Sequence, residues 1–451
     1  MSHDVLVIGA GPAGSVTARR LAAAGARVAL VGAAARAGWE GLSRRSLALL
    51  AEEGLDGAPG IVDGPFARSG EWAGGRSVVG TEWLVERRAL AAALRWRARA
   101  AGVDDRRDTV TSLKWGGGQW RGLTRAGGTL AAPLVIEARG RRGPERHGPL
   151  LLAVGRQFRR LRDAAGAPFQ PGTHIHATDF GWCWWAAQAD ALWVQVVGRP
   201  RAGRASITHP AMPHPPMAHP AAWIAAAAAQ IPALACALAG CRPDDDLAAS
   251  PAHARLGLQA RDTTRWRVGD AALALDPLSG QGVYEALRGA RLVATAVQSV
   301  MCGGDALPAH RFVTERQEES WASGVRTAGA FYRENAGRSA FWSETAAAYE
   351  RLPPSAAPFA PRVERRPVLS GDRIQERDVI VTAQHPRGVW HVADVPLVSL
   401  KGYLESAEHA TVTGAAAAVD RPAAAVASAI HWLEQTGILA RRLRPGVPLG
   451  G

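Results

Sequence analysis

Residues 4–14, "DVLVIGAGPAG", decide the fold of this chain. A short apolar run at 5–8 leads into a glycine-rich turn, and residues 12–24 then follow a helical pattern. Residues 27–31 have the composition of a second strand. This order predicts a βαβ unit at the start of an α/β domain.

The turn in this unit has the GxGxxG spacing of dinucleotide-binding turns. We expect Gly9 to permit the tight turn, Gly11 to let a pyrophosphate approach the backbone, and Gly14 to let the helix pack on the strand. The helix start around Pro12 and Ala13 would offer N–H groups to the phosphates. The alternative is a plain glycine turn, which the strand and helix on either side disfavour.

The end of the second strand departs from this pattern. An acidic residue is expected there to bind a ribose, but Gly32 occupies the place. Either Glu40 reaches the ribose, or the ribose is held in another way.

The composition is that of a soluble globular protein of two or three domains, with 451 residues, 47% of them hydrophobic and 21% charged. The net charge of +13 is almost all arginine, because Lys114 and Lys401 are the only lysines. The charge is scattered along the chain, which favours a solvated surface over a nucleic-acid partner.

Several patterns exclude other classes of protein. The four cysteines form no CxxC pair or His/Cys cluster, so we expect no metal site and a reducing, cytoplasmic location. No signal-peptide pattern precedes the first strand. The most apolar window, 221–240, is interrupted by Gln230 and Pro232, which predicts a helix pair and no membrane association.

A second glycine-rich element, "VGDAALALDPLSGQG" at 268–282, precedes a long helix predicted from Gly280 to about Cys302. With the first turn, it resembles the second FAD fingerprint of the flavoprotein monooxygenases related to para-hydroxybenzoate hydroxylase and the tryptophan halogenases. The resemblance implies FAD as cofactor. It also implies cofactor contacts for these residues: Gly269, Asp270, Pro277, Gly280, Gln281 and Gly282.

The same resemblance assigns Arg87 to the FAD phosphates, with Arg88 as the alternative and a solvated helix arginine as the plain explanation. Glu40 is the best candidate for a catalytic base, unless it binds the ribose or only starts a helix. The turn after a strand at 130–138 has Ala138 and Arg139 in place of the Asp-Gly motif associated with nicotinamide use. The electron donor is therefore open between NAD(P)H and flavin reduced by a separate reductase.

The resemblance implies a Rossmann-like FAD domain of the glutathione-reductase type, an antiparallel-sheet substrate domain and a small C-terminal winged-helix-like domain. Near the N-terminus we expect a helix at 42–53 and a small antiparallel sheet at 110–115, 119–124 and 130–138. A loop is expected at 208–223, and a linker at 351–367. The predicted segments are a first FAD-binding segment (1–150), the substrate domain (151–253), a second FAD-binding segment (254–305), a helical segment (306–350) and the C-terminal domain (363–451).

The stretch "GWCWW" at 181–185 bears on the reaction. In a strand, Trp182 and Trp184 share one side and Trp185 takes the other, so the first two are candidates for substrate binding or simply for packing. Flavin halogenases carry a WxWxIP motif and an early catalytic lysine, and both are missing here. Hydroxylation through a flavin hydroperoxide, with molecular oxygen as co-substrate, is the favoured interpretation.

The extra C-terminal unit and the tryptophan-rich strand resemble the flavoprotein monooxygenases that modify protein-bound tryptophan during tryptophylquinone cofactor biogenesis. The resemblance implies a tryptophan-containing polypeptide as partner, such as the small subunit of an amine dehydrogenase. Two alternatives stay open. One is a small-molecule aromatic hydroxylase or halogenase-like tailoring enzyme, and the other a non-catalytic FAD-binding maturation chaperone.

Overall fold

The computed structural model describes residues 3–56, 60–141, 145–161, 169–200, 222–244, 246–257, 262–352, 360–407 and 409–439. The chain divides into two compact units, one of Met1–Gln298 with Val313–Pro353 and one of Ser299–Phe312 with Pro354–Gly451. The finer division into five segments stays a prediction.

The strands, in chain order, are β1 (Val5–Ile8), β2 (Val28–Val31), β3 (Trp39–Leu42), β4 (Val62–Trp72), β5 (Gly75–Glu86), β6 (Asp104–Arg106), β7 (Val110–Gly116), β8 (Gln119–Thr124), β9 (Thr129–Ala132), β10 (Leu134–Glu137), β11 (Glu145–His147), β12 (Leu152–Arg160), β13 (Phe169–Thr178), β14 (Gly181–Ala189), β15 (Ala191–Gly198), β16 (Cys241–Pro243), β17 (Ala248–Pro251), β18 (Arg255–Gly257), β19 (Arg265–Arg267), β20 (Leu273–Ala274), β21 (Arg362–Ser370), β22 (Arg373–Val381), β23 (His391–Val392) and β24 (Val395–Pro396).

The α-helices are α1 (Pro12–Ala23), α2 (Arg44–Glu52), α3 (Arg87–Ala100), α4 (Ala222–Gln230), α5 (Pro232–Leu238), α6 (Gly282–Met301), α7 (Ala306–Glu334), α8 (Ala340–Glu350), α9 (Leu397–Ser406), α10 (Val412–Val419) and α11 (Ala423–Thr436). Two short 3₁₀ helices cover Gly269–Ala271 and Pro277–Ser279.

A parallel sheet with the order β19-β10-β1-β2-β6 forms the centre of the first unit. Every residue of β1 and β2 is buried, as expected of parallel strands that are covered on both faces. The predicted α/β fold class is therefore confirmed, and its βαβ opening places the glycine turn at the carboxyl end of β1.

Two predictions in this region were wrong in detail. Residues 134–138 do not continue the small antiparallel sheet, because Pro133 ends the ladder after β9 and β10 joins the parallel sheet beside β1. The helix expected at 42–53 begins at Arg44, since the Ser43 hydroxyl caps it by accepting from the Ser46 N–H. The residues before this cap form β3.

A curled mixed sheet lies in the same unit, with the order β16-β12-β15-β14-β13-β4-β5-β3 and β17 alongside β12. Among these strands only the β13–β4 pair is parallel. One face packs on α4 and α5, and the other faces a second hydrophobic core. The sheet thus includes β3, β4 and β5, which had been expected within the first FAD-binding segment.

The predicted helix pair at 221–240 is present as α4 and α5. The predicted loop at 208–223 lies outside the described residues, except that Ala222 and Trp223 begin α4. None of the helices in the described ranges combines the length and the hydropathy of a membrane span.

The second unit contains the β21–β22 hairpin, the β23–β24 pair and the helices α9 to α11, whose apolar residues form a core of their own. This order of strands and then helices agrees with the expected winged-helix-like domain. The predicted linker was too long, because its last residues already pair with β22 from Arg362 onward.

Candidate active site

A cavity of about 670 Å³ lies within the first unit. One set of lining residues, here called the glycine wall, comes from the two glycine-rich elements: Gly11, Pro12, Ala13, Gly14, Gly269, Asp270, Pro277, Gly280 and Gly282. A second set, the sheet wall, comes from the curled sheet: Arg68, Glu82, Ala153, Ile175, Trp182, Trp184 and Gln195. The structure thus brings nearly all predicted site residues together, except Gly9 and Gln281, which do not line the cavity.

The three glycines of the first turn have two kinds of surroundings. A Cβ at Gly9 would lie 2.2 Å from the Ala138 carbonyl oxygen, and one at Gly14 would lie 1.9 Å from the Gly9 carbonyl oxygen. A Cβ at Gly11 would meet nothing within 4 Å. Two glycines therefore allow close packing, whereas Gly11 borders open space at the start of α1, where no side chain caps the helix.

The second glycine-rich element lies beside the first, since a Cβ at Gly269 would be 2.7 Å from the Ala13 methyl group. Gly280 adopts the left-handed conformation, with φ of 62°, between the 3₁₀ helix and α6. This turn places the start of α6, with its free backbone N–H groups and the positive end of its dipole, at the end of the second glycine-rich element.

No carboxylate stands at the end of β2, because a Cβ at Gly32 would lie 2.4 Å from the Ala10 backbone nitrogen. Glu40, the predicted base, instead forms an ion pair with Arg87, with 2.5 Å between the Glu40 Oε1 and the Arg87 Nε. The charge of Glu40 raises the pKa of Arg87. Glu40 and Arg87 thus form one polar pair at the cavity.

Two further arginines line the cavity after β10. Arg139 is held by Glu137, with 2.6 Å between the Arg139 Nη2 and the Glu137 Oε2. Burial acts to raise the pKa of Glu137, but the hydrogen bonds and charge of Arg139 lower it overall. Arg141 donates to the Asp270 Oδ2 at 3.3 Å, so Asp270, a predicted FAD contact, has a cationic partner.

The strand β14 separates its tryptophans between two faces. Trp182 and Trp184 lie on the sheet wall with Ile175 of β13, whose register partner is Trp184. Trp185 packs on the other face, where its ring stacks on His174 at 3.7 Å between centroids. Burial lowers the pKa of His174 to about 4. The strand therefore lines the cavity on one side only.

Three polar side chains on the sheet wall had not been predicted from the sequence: Arg68, Glu82 and Gln195. Arg68 and Glu82 come from β4 and β5, which had not been predicted as strands. Among the described residues, the buried Arg68 Nε has no hydrogen-bond partner. The Arg68 Nη1 lies 3.9 Å from the place of a Cβ at Gly280, so this cation reaches the glycine wall. The alternation of "GTEWLVE" at 80–86 was the available signal for β5.

The buried Asp276 of the second glycine-rich element is linked by hydrogen bonds, through Tyr332, to Trp182 of the sheet wall. The Asp276 Oδ2 accepts from the Tyr349 hydroxyl at 2.6 Å and the Tyr332 hydroxyl at 3.1 Å, and the Trp182 Nε1 donates to the Tyr332 oxygen at 3.1 Å. The Leu278 N–H donates to the Asp276 Oδ1. Burial raises the pKa of Asp276 to about 6, although these hydrogen bonds oppose the shift.

These features fit FAD. The open space at Gly11 and the uncapped start of α1 suit a pyrophosphate. The start of α6 suits the negative charge of a reduced flavin, and Arg68, whose Nη1 approaches Gly280, offers a cation close to it. Within the described ranges, no three His, Cys, Asp or Glu side chains form a metal-binding cluster.

Comparisons with known proteins agree with this assignment. Residues 2–58 match a family described as an FAD binding domain. The structure is similar to that of the peptidyl tryptophan dihydroxylase QhpG, described as essential for tryptophylquinone cofactor biogenesis. That likeness has 28% sequence identity and a TM-score of 0.79, and covers 97% of this chain and 100% of that chain. A search of curated proteins finds no match.

Two halogenases share the fold. The flavin-dependent halogenase CmlS has 17% identity and a TM-score of 0.66, with 97% of this chain and 95% of that chain covered. The myxobacterial chondrochloren halogenase CndH has 21% identity and a TM-score of 0.58, over 76% and 86% of the two chains. The FAD-binding domain and the shared fold identify this chain as an FAD-dependent monooxygenase, similar over nearly its whole length to a peptidyl tryptophan dihydroxylase.

Proposed function

We propose that this flavoenzyme hydroxylates the indole ring of a tryptophan in a partner polypeptide during quinone cofactor biogenesis in the cytoplasm. The observation that carries the proposal is the sheet wall, where Trp182, Trp184 and Ile175 form an aromatic and aliphatic surface beside the glycine wall. Such a surface suits a flat aromatic ring. The peptidyl tryptophan dihydroxylase of similar fold supports the choice of substrate.

The residues have separate tasks in this proposal. The glycine wall binds the diphosphate and the ring of FAD through backbone N–H groups. Reduced FAD would supply activated molecular oxygen, one atom of which enters the ring while the other leaves as water. The two electrons come from NAD(P)H or from flavin reduced by a separate reductase. Trp182 and Trp184 hold the substrate ring and exclude water from the reacting face.

The positions of the two lysines favour hydroxylation over halogenation as the reaction. The flavin halogenases that this sequence resembles use a lysine early in the chain. Here Lys114 lies exposed in β7 and Lys401 lies in α9, and neither lines the cavity. Arg68 and Arg141 are cations that reach the glycine wall, and a guanidinium does not carry the amine chemistry of a lysine.

The second unit offers an edge for a polypeptide. Within the described residues, β21 pairs only with β22, so no described strand covers its outer edge. Val363 and Leu369 on this strand are each 42% exposed. An extended peptide that adds a strand at this edge would gain backbone hydrogen bonds and apolar contacts.

The test is the mass of partner polypeptides. The enzyme is purified from its native host, and bound polypeptides are weighed before and after incubation with FAD, reductant and isotopically labelled oxygen. Labelled oxygen located on a tryptophan by fragmentation is the expected result. A bound polypeptide that never gains mass would contradict the proposal. Labelled oxygen found only on a small aromatic compound would instead establish the small-molecule alternative.

A matched variant tests the edge. Val363→Lys with Leu369→Lys should weaken capture of the polypeptide while FAD content stays unchanged, because the added charges oppose strand addition. Lysine substitutions at the exposed Trp115 and Leu123 of the first unit serve as the control, because they add the same charge and also remove exposed apolar side chains. Equal loss of capture in both double variants would assign the effect to charge alone.

A further inference from the structure

Glu82 is a buried carboxylate on the sheet wall of the cavity. Glu82 is 8% exposed and lies in β5 at the position paired with Phe66 of β4. Among the described residues it forms no ion pair, although burying an anion without compensation is costly. The Glu82 side chain therefore needs hydrogen-bond donors, and the described residues supply only some of them.

The hydrogen-bonding capacity of Glu82 is largely unused within the described residues. A carboxylate has about four acceptor positions. The Trp184 Nε1 donates to the Glu82 Oε2 at 3.4 Å, which is at the long limit for such a bond. The other oxygen points at Gly41, since a Cβ there would lie 2.1 Å from the Glu82 Oε1. A glycine at 41 thus leaves the carboxylate room that any side chain would take.

We infer that Glu82 accepts a hydrogen bond from the indole N–H of the substrate and so sets the orientation of the ring in the cavity. This inference rests on the proposed function. An indole carries one donor, its N–H, and is otherwise apolar. A cavity lined by Trp182, Trp184 and Ile175, with a carboxylate that has no ion-pair partner among the described residues, is complementary to that pattern.

The hydrogen bond has a chemical consequence. A carboxylate that accepts from the indole N–H raises the electron density of the ring, which favours attack by an electrophilic oxygen. It also discriminates against rings that lack the donor, because Glu82 would then be left buried without a partner. Glu82, and not the ion-paired Glu40, is therefore the acidic residue that we assign to the substrate.

The experiment compares two probes, N-acetyltryptophanamide and its 1-methylindole analogue, which has no N–H. Each is titrated into the FAD-loaded enzyme, and binding is followed by the change in the flavin absorption spectrum, without turnover. We expect the wild type to bind the first probe about tenfold more tightly or better, as for a hydrogen bond to a charged acceptor. Glu82→Gln should reduce the preference, and Glu82→Leu should abolish it.

Two controls separate this role from a structural one. Trp184→Phe removes the internal donor and alters the ring surface for both probes alike, so both affinities should fall while their ratio stays the same. A Glu82 that only holds Trp184 would instead make Trp184→Phe lower that ratio as Glu82→Gln does. Glu86→Gln changes an exposed carboxylate at the end of the same strand and should have no effect. The flavin spectrum of each variant shows that FAD is still bound.

The inference is overturned if the wild type binds both probes equally or binds neither, or if Glu82→Leu keeps the preference. These results are distinct from a failure of the proposed function. A preference for the N–H probe without oxidation of any polypeptide would leave Glu82 assigned to a small indole. Oxidation of a polypeptide without such a preference would refute the role of Glu82 alone.

Discussion

The glycine wall presents mainly backbone to the cavity, whereas the sheet wall presents side chains from several strands. The glycine wall has no room for a side chain where glycines pack on backbone atoms, as at Gly9 and Gly14, but it has room where Gly11 borders the cavity. The sheet wall depends on which face of each strand a residue occupies, as Trp182 and Trp185 show. Backbone thus determines the FAD-binding side of the cavity, and strand alternation determines the side proposed to bind the substrate.

The largest effect is expected where the glycine wall packs on itself. Gly14→Ala would place a Cβ 1.9 Å from the Gly9 carbonyl oxygen and force the backbone of the turn to move. We expect a loss of about 3 kcal/mol in the free energy of unfolding. Urea denaturation of the FAD-free protein measures this loss, and a loss below about 1 kcal/mol would show that the turn yields easily.

Asp276, which links the two walls, should titrate within an accessible pH range. Asp276 has a pKa of about 6 in the folded protein and an ordinary value of 3.8 when unfolded, so the folded state holds its proton more tightly. Its stabilising contribution is therefore complete below pH 3.8 and is lost as the pH rises through about 6.

Comparison with Asp276→Asn isolates this contribution. The stability of the wild type relative to the variant should fall by about 2 to 3 kcal/mol between pH 4 and pH 7. Urea denaturation at steps of pH gives the two curves. Parallel curves would mean that Asp276 does not titrate in this range.

Gly11 tests the open region of the glycine wall. Because a Cβ at Gly11 meets nothing within 4 Å and its φ of −73° suits alanine, Gly11→Ala should leave the FAD-free protein as stable as the wild type. The added methyl group would occupy the space that a pyrophosphate approaches, and we expect FAD affinity to fall about tenfold. Fluorescence titration with FAD measures it. Unchanged affinity would place the pyrophosphate elsewhere.

The smallest expected effect is a difference in unfolding free energy between substitutions on the two faces of β14. Trp182→Phe removes the donor to Tyr332, whereas Trp185→Phe removes an N–H that has no partner among the described residues. Both changes remove similar volume, so we expect Trp182→Phe to cost about 1 kcal/mol more in unfolding free energy. Equal losses would show that the hydrogen bond contributes nothing to stability.

The sequence predicted the glycine wall well because its signals are local. Gly9, Gly11 and Gly14 lie within one strand–turn–helix segment, and spacing alone indicates their roles. The sides of Trp182, Trp184 and Trp185 also followed from the period of a strand.

The polar residues of the sheet wall could not be predicted in this way. Irregular pairing between β4 and β5, with register shifts between Asp63 and Phe66 and between Arg68 and Ser69, breaks the alternation that would have marked these strands. The hydrogen bonds of Asp276 join residues 56 and 73 positions apart, which no local pattern records.

The close contact between Gly32 and Ala10 makes the missing ribose carboxylate hard to restore. A Glu introduced at position 32 would meet the Ala10 nitrogen at 2.4 Å and the Ala10 Cα at 3.0 Å, and both are backbone atoms. No second substitution at position 10 removes those atoms. An acid at position 32 is therefore incompatible with the present path of the first turn, and that path would have to change before this position could bind a ribose.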